Sequence, residues 1–142
     1  MMSAMVTPRR MLAAISVVIA GALLAGSVCR AAGEPPAVNR VLAEKLPNVP
    51  GKSLTAVIVT FPPGGKSTPH HHAGSVFVYV LSGAVRSQIS TGGPVVYKSG
   101  EGFFEPAGSA HLVSENVSAT EPASLLAVFV ADDGAQLTTA DK

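Results

Sequence analysis

The stretch Gly64-Gly-Lys-Ser-Thr-Pro-His-His-His-Ala-Gly-Ser-Val-Phe-Val-Tyr-Val-Leu-Ser-Gly83 holds three of the four histidines in the chain. The fourth, His111, ends a second segment built in the same way, Gly100-Glu-Gly-Phe-Phe-Glu-Pro-Ala-Gly-Ser-Ala-His111. Glycine and proline mark turns, and the β-branched and aromatic runs between them are typical of strands. If the two segments pair in the fold, His70, His72 and His111 can converge on one point, as the ligands of a metal ion do.

The alternation of side chains along a strand separates the three adjacent histidines. His70 and His72 should point to one face, whereas His71 should point to the other. Two imidazoles side by side suit one divalent transition-metal ion, and neutral imidazole binds Fe, Mn, Ni, Cu and Zn, so the identity of the metal stays open. His71 is therefore not expected to be a ligand.

The fold class follows from many short apolar runs separated by turn signals. The pattern predicts strands over residues 53–61, 75–81, 84–90, 95–98, 102–105, 111–116 and 123–130, while residues 40–46 fit either a short strand or a helical turn. Short strands at regular spacing without an amphipathic helix indicate an all-β sandwich or barrel. Five aromatic residues are expected in its core: Phe77, Tyr79, Phe103, Phe104 and Phe129.

The N-terminus has the pattern of a secretory signal. Arg9 and Arg10 precede an apolar run over residues 11–26, which is short for the roughly 20 residues of a membrane-spanning helix. We therefore expect a signal peptide over residues 1–31, an extended lead-in over 32–50, one β-barrel domain over 51–133 and a flexible C-terminal tail over 134–142. The protein is expected to be exported, either periplasmic or secreted, with no membrane anchor after signal removal.

Removal of residues 1–31 changes the charge and removes the one cysteine. Three of the ten basic residues and none of the nine acidic ones lie in that segment, so the remainder has 7 − 9 = −2 charges. A slightly acidic chain lacks the basic surface that nucleic-acid binding requires. Because Cys29 is lost as well, disulfides, thiolate metal ligands and a cysteine nucleophile are excluded.

The two segments together resemble the paired motifs of the cupin superfamily. The first motif matches at Gly64, His70, His72 and Gly83, and the second matches at Gly100, Pro106, Gly108 and His111. The resemblance extends from Gly64 to Asn116. It implies a double-stranded β-helix, or jelly-roll barrel, with a metal bound inside by His70, His72 and His111. It also implies a homodimer, because many small cupins are dimeric.

The chain departs from the first motif at one position. The motif places a glutamate ligand six residues before its last glycine, and this chain has Val76 there. A three-histidine site remains, and Gln88 or Glu105 could provide a fourth ligand. Glu105 is also the candidate for a catalytic acid or base. Turns reset strand alternation, so the sequence does not decide between these two residues.

The resemblance allows two functions. A metal with open coordination positions supports an enzyme, either a dioxygenase or an isomerase of the cupin type. The alternative is a non-catalytic module that binds a metal or a small ligand. Val76, Val78 and Val80 should face the site, so the expected pocket is apolar and suited to a small organic molecule.

Overall fold

The computed structural model describes residues 33–90 and 92–142, and its regular structure consists of strands. The predicted signal segment, residues 1–31, lies outside the described residues. Within those residues no helix is long and apolar enough to cross a membrane. The ten strands are β1 (Ala37–Lys45), β2 (Lys52–Phe61), β3 (His70–His72), β4 (Ser75–Ser82), β5 (Ala84–Ile89), β6 (Val95–Lys98), β7 (Gly102–Glu105), β8 (Ala110–Asn116), β9 (Ala123–Asp132) and β10 (Thr138–Ala140).

The strands form two five-stranded antiparallel sheets. The first sheet has the order β1-β2-β9-β4-β7, and the second has the order β10-β3-β8-β5-β6. Because consecutive strands often belong to different sheets, the chain crosses repeatedly between the two layers, as in a jelly roll. The predicted all-β jelly-roll class is confirmed.

Tight turns at glycine connect these strands. Gly83 and Gly100 have φ angles of 71° and 91°, a left-handed region that a side chain with a Cβ atom adopts at a cost. A Cβ atom on Gly83 would also lie 2.9 Å from the Cβ of Ala123 on β9. Both glycines belong to the spacing pattern seen in the sequence, so that pattern reflects backbone conformation as well as chemistry.

The hydrophobic core lies between the two sheets. The inner side of β4 contributes Val76, Val78 and Val80, all buried, as the alternation predicts. Phe61 of β2 and Phe129 of β9 pack in the same cluster. This core supports one wall of the site described below, because the same strands that fill it carry the residues facing the histidines.

Two strands lie outside the boundaries predicted for the barrel. Residues 40–45 of the undecided segment 40–46 belong to β1, which pairs with β2 along almost its whole length. The segment predicted to be a flexible tail, residues 134–142, contains β10, which pairs with β3 through Thr138 and His72. Neither strand has a strong apolar pattern, because each lies at the edge of its sheet.

The expectation that all five aromatic residues lie in the core is wrong for three of them. Phe129 is buried and Phe103 packs against the core, but Phe77, Tyr79 and Phe104 are exposed. Phe77 and Tyr79 alternate with the buried valines of β4, so they point to the outer side of the first sheet.

Candidate metal centre

The three histidines predicted to converge lie together between the two sheets. His70 on β3 pairs directly with His111 on β8, and His72 lies two residues further along β3. One ring nitrogen from each residue can be chosen so that the three atoms lie within 4.8 Å of one another. His72 and His111 are buried, and His70 is partly buried. The cluster has the donor set and spacing of a mononuclear metal site.

His71 points away from this cluster. Its Nδ1 lies 2.7 Å from Oδ1 of Asp141 on the outer side of the second sheet. The His71 side chain is 44% exposed, whereas His72 is buried. Strand alternation therefore separates the three adjacent histidines as predicted.

The rings of His70 and His72 are oriented by backbone carbonyls. Nδ1 of His70 donates a hydrogen bond to the carbonyl oxygen of Thr68 at 2.8 Å. Nδ1 of His72 lies 3.1 Å from both the carbonyl oxygen of Leu137 and Oγ1 of Thr138. A proton on Nδ1 leaves Nε2 with its lone pair free on both rings. Such bonds commonly fix the tautomer and direction of metal-binding histidines.

His111 has a side-chain partner on the neighbouring strand. Its Nε2 lies 2.9 Å from Oγ of Ser87, and both groups are buried. Ser87 is not among the residues predicted from the sequence, although it directly precedes the candidate Gln88 on β5. Strand alternation could have predicted its position. Residues 85 and 87 share one face of β5, and Val85 is buried, so Ser87 also points to the inner face.

Glu105, the second candidate, points into the histidine cluster from the opposite sheet. Its side chain is 1% exposed, and its Oε2 lies 3.4 Å from Nδ1 of His111 and 3.7 Å from Nε2 of His72. Neither contact is a hydrogen bond. Among the described residues, Oε2 of Glu105 is the buried side-chain atom without a hydrogen-bond partner. An unsatisfied buried carboxylate oxygen is costly, and a cation at this position would satisfy it.

Gln88, the other candidate for a fourth ligand, does not join the cluster. Its Nε2 donates a hydrogen bond to the carbonyl oxygen of Gly92 at 3.2 Å. Because Ser87 points inward from the same strand, alternation directs Gln88 outward. Of the two candidates, the structure therefore brings Glu105 to the histidines and directs Gln88 away from them.

Burial changes the protonation of these groups. Burial lowers the pKa of His72 to about 4, a shift that the nearby His70 and His71 charges reinforce and the bond to Leu137 opposes. Burial, followed by the charges of His70 and His72, lowers the pKa of His111 to about 4. Burial raises the pKa of Glu105 to about 7. Between these pH values both imidazoles are neutral and the carboxyl is protonated, so the close contacts are not ion pairs.

These residues fit a divalent transition metal. Neutral imidazoles present lone pairs, and the carboxyl of Glu105 has an oxygen free of hydrogen bonds. A bound cation would favour the ionised carboxylate, which burial otherwise disfavours. The site would join the two sheets, since the histidines belong to the second sheet and Glu105 belongs to the first.

An apolar cavity of about 820 Å³ opens onto the cluster. Its walls include Val57, Val78 and Leu125 of the first sheet, and Lys66 and Glu115 are charged residues in its lining. The carboxylate of Glu115 is paired with the guanidinium of Arg86. The cavity is of the size that holds a small organic molecule.

Comparisons with known proteins identify the fold. The model of the cupin domain family matches residues 57–129. No curated protein sequence matches the chain. A double-stranded β-helix protein of uncharacterized function from Klebsiella pneumoniae has 24% identity and a TM-score of 0.60, with 80% of this chain and 90% of that chain covered.

Two enzymes have similar structures over part of their length. DMSP lyase DddQ from Ruegeria pomeroyi has 20% identity and a TM-score of 0.60, over 75% of this chain and 51% of that chain. Oxalate decarboxylase from Bacillus subtilis has 23% identity and a TM-score of 0.54, over 61% of this chain and 23% of that chain. The chain thus spans about half of the lyase and about a quarter of the decarboxylase, and the likeness at this identity concerns the fold alone.

Proposed function

Because the chain belongs to the cupin domain family, we propose that it binds one divalent transition-metal ion through His70, His72, His111 and Glu105. The metal would act on a small organic molecule in the adjacent cavity. The observation that carries this proposal is Oε2 of Glu105, which is buried, without a hydrogen-bond partner, and within 3.7 Å of nitrogen atoms on two of the histidines.

The side chains at the site would have distinct roles. The bonds from His70 to Thr68 and from His72 to Leu137 hold two rings with Nε2 directed away from the backbone. Glu105 would supply negative charge and, when not bound to the metal, would accept a proton near neutral pH. A metal in this site would supply Lewis acidity or redox chemistry to a bound molecule.

The lining of the cavity supports an apolar or weakly charged substrate. Valine, leucine and phenylalanine side chains form most of the walls near the cluster and would keep water from it. Lys66 is the cation in the cavity lining among the described residues. A doubly charged anion would therefore have one cationic side chain to neutralise it, apart from the metal. We propose a small aromatic or diketone compound, with dioxygenase chemistry as the reaction class.

A non-catalytic metal- or ligand-binding module is the second candidate. It is favoured by the small number of inward carboxylates. If Glu105 binds the metal, the remaining carboxylate in the cavity lining is Glu115, and that group is already paired with Arg86. No other carboxylate of the described cavity would then be available as a general base. Conversion of a bound compound to product would distinguish the enzyme from this non-catalytic module.

Export and dimerisation complete the proposal. The charged and apolar pattern of residues 1–31 supports a signal peptide, which predicts a periplasmic or secreted product that lacks these residues. N-terminal sequencing of the protein recovered outside the cytoplasm tests this part. We also propose a homodimer as the assembled state.

Elemental analysis tests the metal site. The protein is purified without a histidine tag and without added metal, and is then titrated with iron, manganese, nickel, copper and zinc in turn. About one metal per chain supports the site, and the metal found selects the next assay. With a redox-active metal, oxygen consumption is measured with small aromatic and diketone compounds. Metal binding without turnover of any compound favours the non-catalytic module, and failure to bind any metal rejects the site.

A further inference from the structure

Strand β8 contains a bulge between His111 and Ser114. In the pairing of β8 with β5, His111 lies opposite Ile89 and Val113 lies opposite Gln88, so Leu112 is an extra residue in this register. On a regular strand, residues three positions apart point to opposite faces. The extra residue changes this phase, and His111 and Ser114 are both buried, whereas Leu112 is exposed. The bulge therefore directs Ser114 to the same face of the sheet as His111.

Ser114 lies on the wall of the cavity that also carries the histidines. It pairs with Ser87, whose hydroxyl contacts Nε2 of His111, and paired residues share one face of a sheet. The carbonyl oxygen of Ser114 accepts a hydrogen bond from the N–H of Ser67 at 2.9 Å, so neighbouring segments hold its main chain on both sides. Ser114 is 7% exposed and belongs to the lining of the cavity. Its position at the wall is thus fixed by the sheet.

The hydroxyl of Ser114 has no partner in the protein. It makes no hydrogen bond to any residue that the structure describes, whereas the amide of buried Asn116 donates to the carbonyl oxygens of Pro62 and Glu121. Unlike Oε2 of Glu105, this hydroxyl is not fully enclosed by protein atoms, and it is accessible from the cavity. A hydroxyl in an apolar site is costly unless it is hydrogen-bonded, so its partner must be a group inside the cavity.

The charged side chains closest to Ser114 in the sheet are directed to its outer side. Glu115 pairs with Arg86 both in strand register and through the side chains, one residue out of phase with the inward Ser87 and Ser114. Lys66 forms a β-bridge with Glu115 and so lies in the same outward row, although it borders the cavity. An anion beside Ser114 would lack a cation on the inner wall, and a buried charge without a partner is costly. The group that Ser114 can bind is therefore uncharged.

We propose that Ser114 determines specificity by binding an uncharged carbonyl or hydroxyl group of the substrate. This inference rests on the proposed function, because the substrate is the molecule on which the metal would act. His111 and Ser114 lie opposite Ile89 and Ser87, which are two residues apart on β5, so they are separated by about 7 Å along the sheet. The oxygen bound by Ser114 is thus distinct from the group of the substrate that meets the metal.

This role narrows the compounds proposed above to those with an oxygen function remote from the reacting group. An aromatic hydrocarbon in the cavity would leave the hydroxyl of Ser114 unpaired, and sites built to hydrogen-bond a ligand discriminate strongly against analogues that lack the partner. An aromatic ketone, a phenol or a diketone supplies that partner. Val57 and Leu125 of the facing sheet would contact the apolar part of the same molecule.

The test compares two probes of nearly the same shape, acetophenone and α-methylstyrene, in which a methylene group replaces the carbonyl oxygen. Their dissociation constants are measured by calorimetry in the metal-free protein with a chelator present, so that no metal can bind the carbonyl. Wild-type protein should bind the ketone about five- to tenfold more tightly, which corresponds to one net hydrogen bond.

Other groups at the site compete poorly for a ketone, which only accepts hydrogen bonds. Nδ1 of His70 and of His72 is directed to backbone carbonyls, so each ring presents a lone pair at Nε2. The measurement is made at pH 8, above the pKa of about 7 to which burial raises Glu105, so this carboxyl is mainly ionised and does not donate. A preference for the ketone therefore reports on the hydroxyl of Ser114.

Ser114→Ala should remove the preference, so that the two dissociation constants become nearly equal. Ser114→Thr keeps a hydroxyl and should retain the preference. Ser82→Ala is the matched control, because the Ser82 hydroxyl contacts Ser124 and lies outside the cavity lining. The infrared stretching frequency of the isotope-labelled carbonyl gives a second readout. It should be lower for the ketone bound to wild-type protein than for the ketone bound to Ser114→Ala.

Circular dichroism verifies that each variant is folded. Equal affinity of the wild type for both probes overturns the inference, and so does a preference that survives in Ser114→Ala or disappears in Ser82→Ala. Absence of binding of either probe rejects the cavity as the ligand site and this inference with it. If Ser114→Ala does not fold, the wild-type carbonyl frequency decides, and a value equal to that of the ketone in an alkane solvent rejects the hydrogen bond. Because the protein is metal-free in this test, its result is independent of whether the metal titration succeeds.

Discussion

Val76 and Glu105 are direct cross-strand neighbours on β4 and β7. Paired residues on adjacent strands point to the same face of a sheet, so both side chains face the histidines. Position 76 is where the first cupin motif has its glutamate. The carboxylate that is missing there is present one strand away, with its Oε2 3.4 Å from His111. The chain therefore has a carboxylate on the strand beside position 76 and none at position 76 itself.

Glu105→Gln is expected to weaken metal binding by at least about tenfold, because it removes the charge but keeps the shape of the side chain. Affinity is measured by competition with a coloured chelator. The Val76→Glu/Glu105→Val double variant returns the carboxylate to the position in the motif and should recover part of the loss. Gln88→Ala is the control and should bind metal as the wild type does. Unchanged affinity in Glu105→Gln would show that this carboxylate is not a ligand.

His72→Ala should remove most of the bound metal, since it deletes a buried imidazole of the cluster. His71→Ala, one residue away, should keep about one metal per chain, because His71 points to the opposite face and contacts Asp141. Metal content after dialysis measures both variants. Equal losses in the two variants would contradict the separation of the histidines by strand alternation.

Thr138→Val is expected to lower metal affinity by up to about tenfold, because it removes one of the two groups that contact Nδ1 of His72. The carbonyl of Leu137 remains, so the loss should be partial. Thr139→Val is the matched control, because Thr139 pairs with His71 and lies one residue out of phase. Thermal unfolding should show similar stability for both variants. An equal change in affinity for both would indicate a general effect on β10.

The stability of the metal-free protein should rise with pH between about 4 and 6.5. Burial lowers the pKa of His72 and of His111 from 6.5 to about 4, so the unfolded chain binds more protons in this range. Glu105 makes the stability fall as the pH rises from 4.5 to about 7, because burial raises the pKa of this carboxyl in the folded protein. Because two histidines contribute and only one glutamate opposes them, the free energy of unfolding should still increase with pH in this range.

Urea unfolding in the presence of a chelator measures this dependence. Glu105→Gln removes the opposing contribution and should make the rise steeper. Above pH 6.5 the histidines no longer contribute, and these three groups should then cause a slight fall until pH 7. A urea concentration at the unfolding midpoint that decreases from pH 4 to pH 6.5 would contradict the burial of neutral imidazoles at the site.

Local patterns were sufficient to predict most of the strands and the three converging histidines. Strand alternation and turn chemistry act over a few residues, so β6 and β7 were predicted with the bounds that the structure shows. The separation of His71 from His70 and His72 has the same origin. These features depend on steric rules that each residue obeys with its immediate neighbours.

The remaining features depend on which strands become neighbours. Gln88 and Glu105 could not be distinguished, because a turn resets alternation and only the pairing of β4 with β7 directs Glu105 inward. The role of Leu137 and Thr138 beside His72 required β10 to pair with β3, across more than sixty residues of sequence. The exposure of Phe77 and Phe104 likewise reflects the absence of a second layer over the first sheet in the described chain. Burial and contact between distant segments are properties of packing, and no local pattern specifies them.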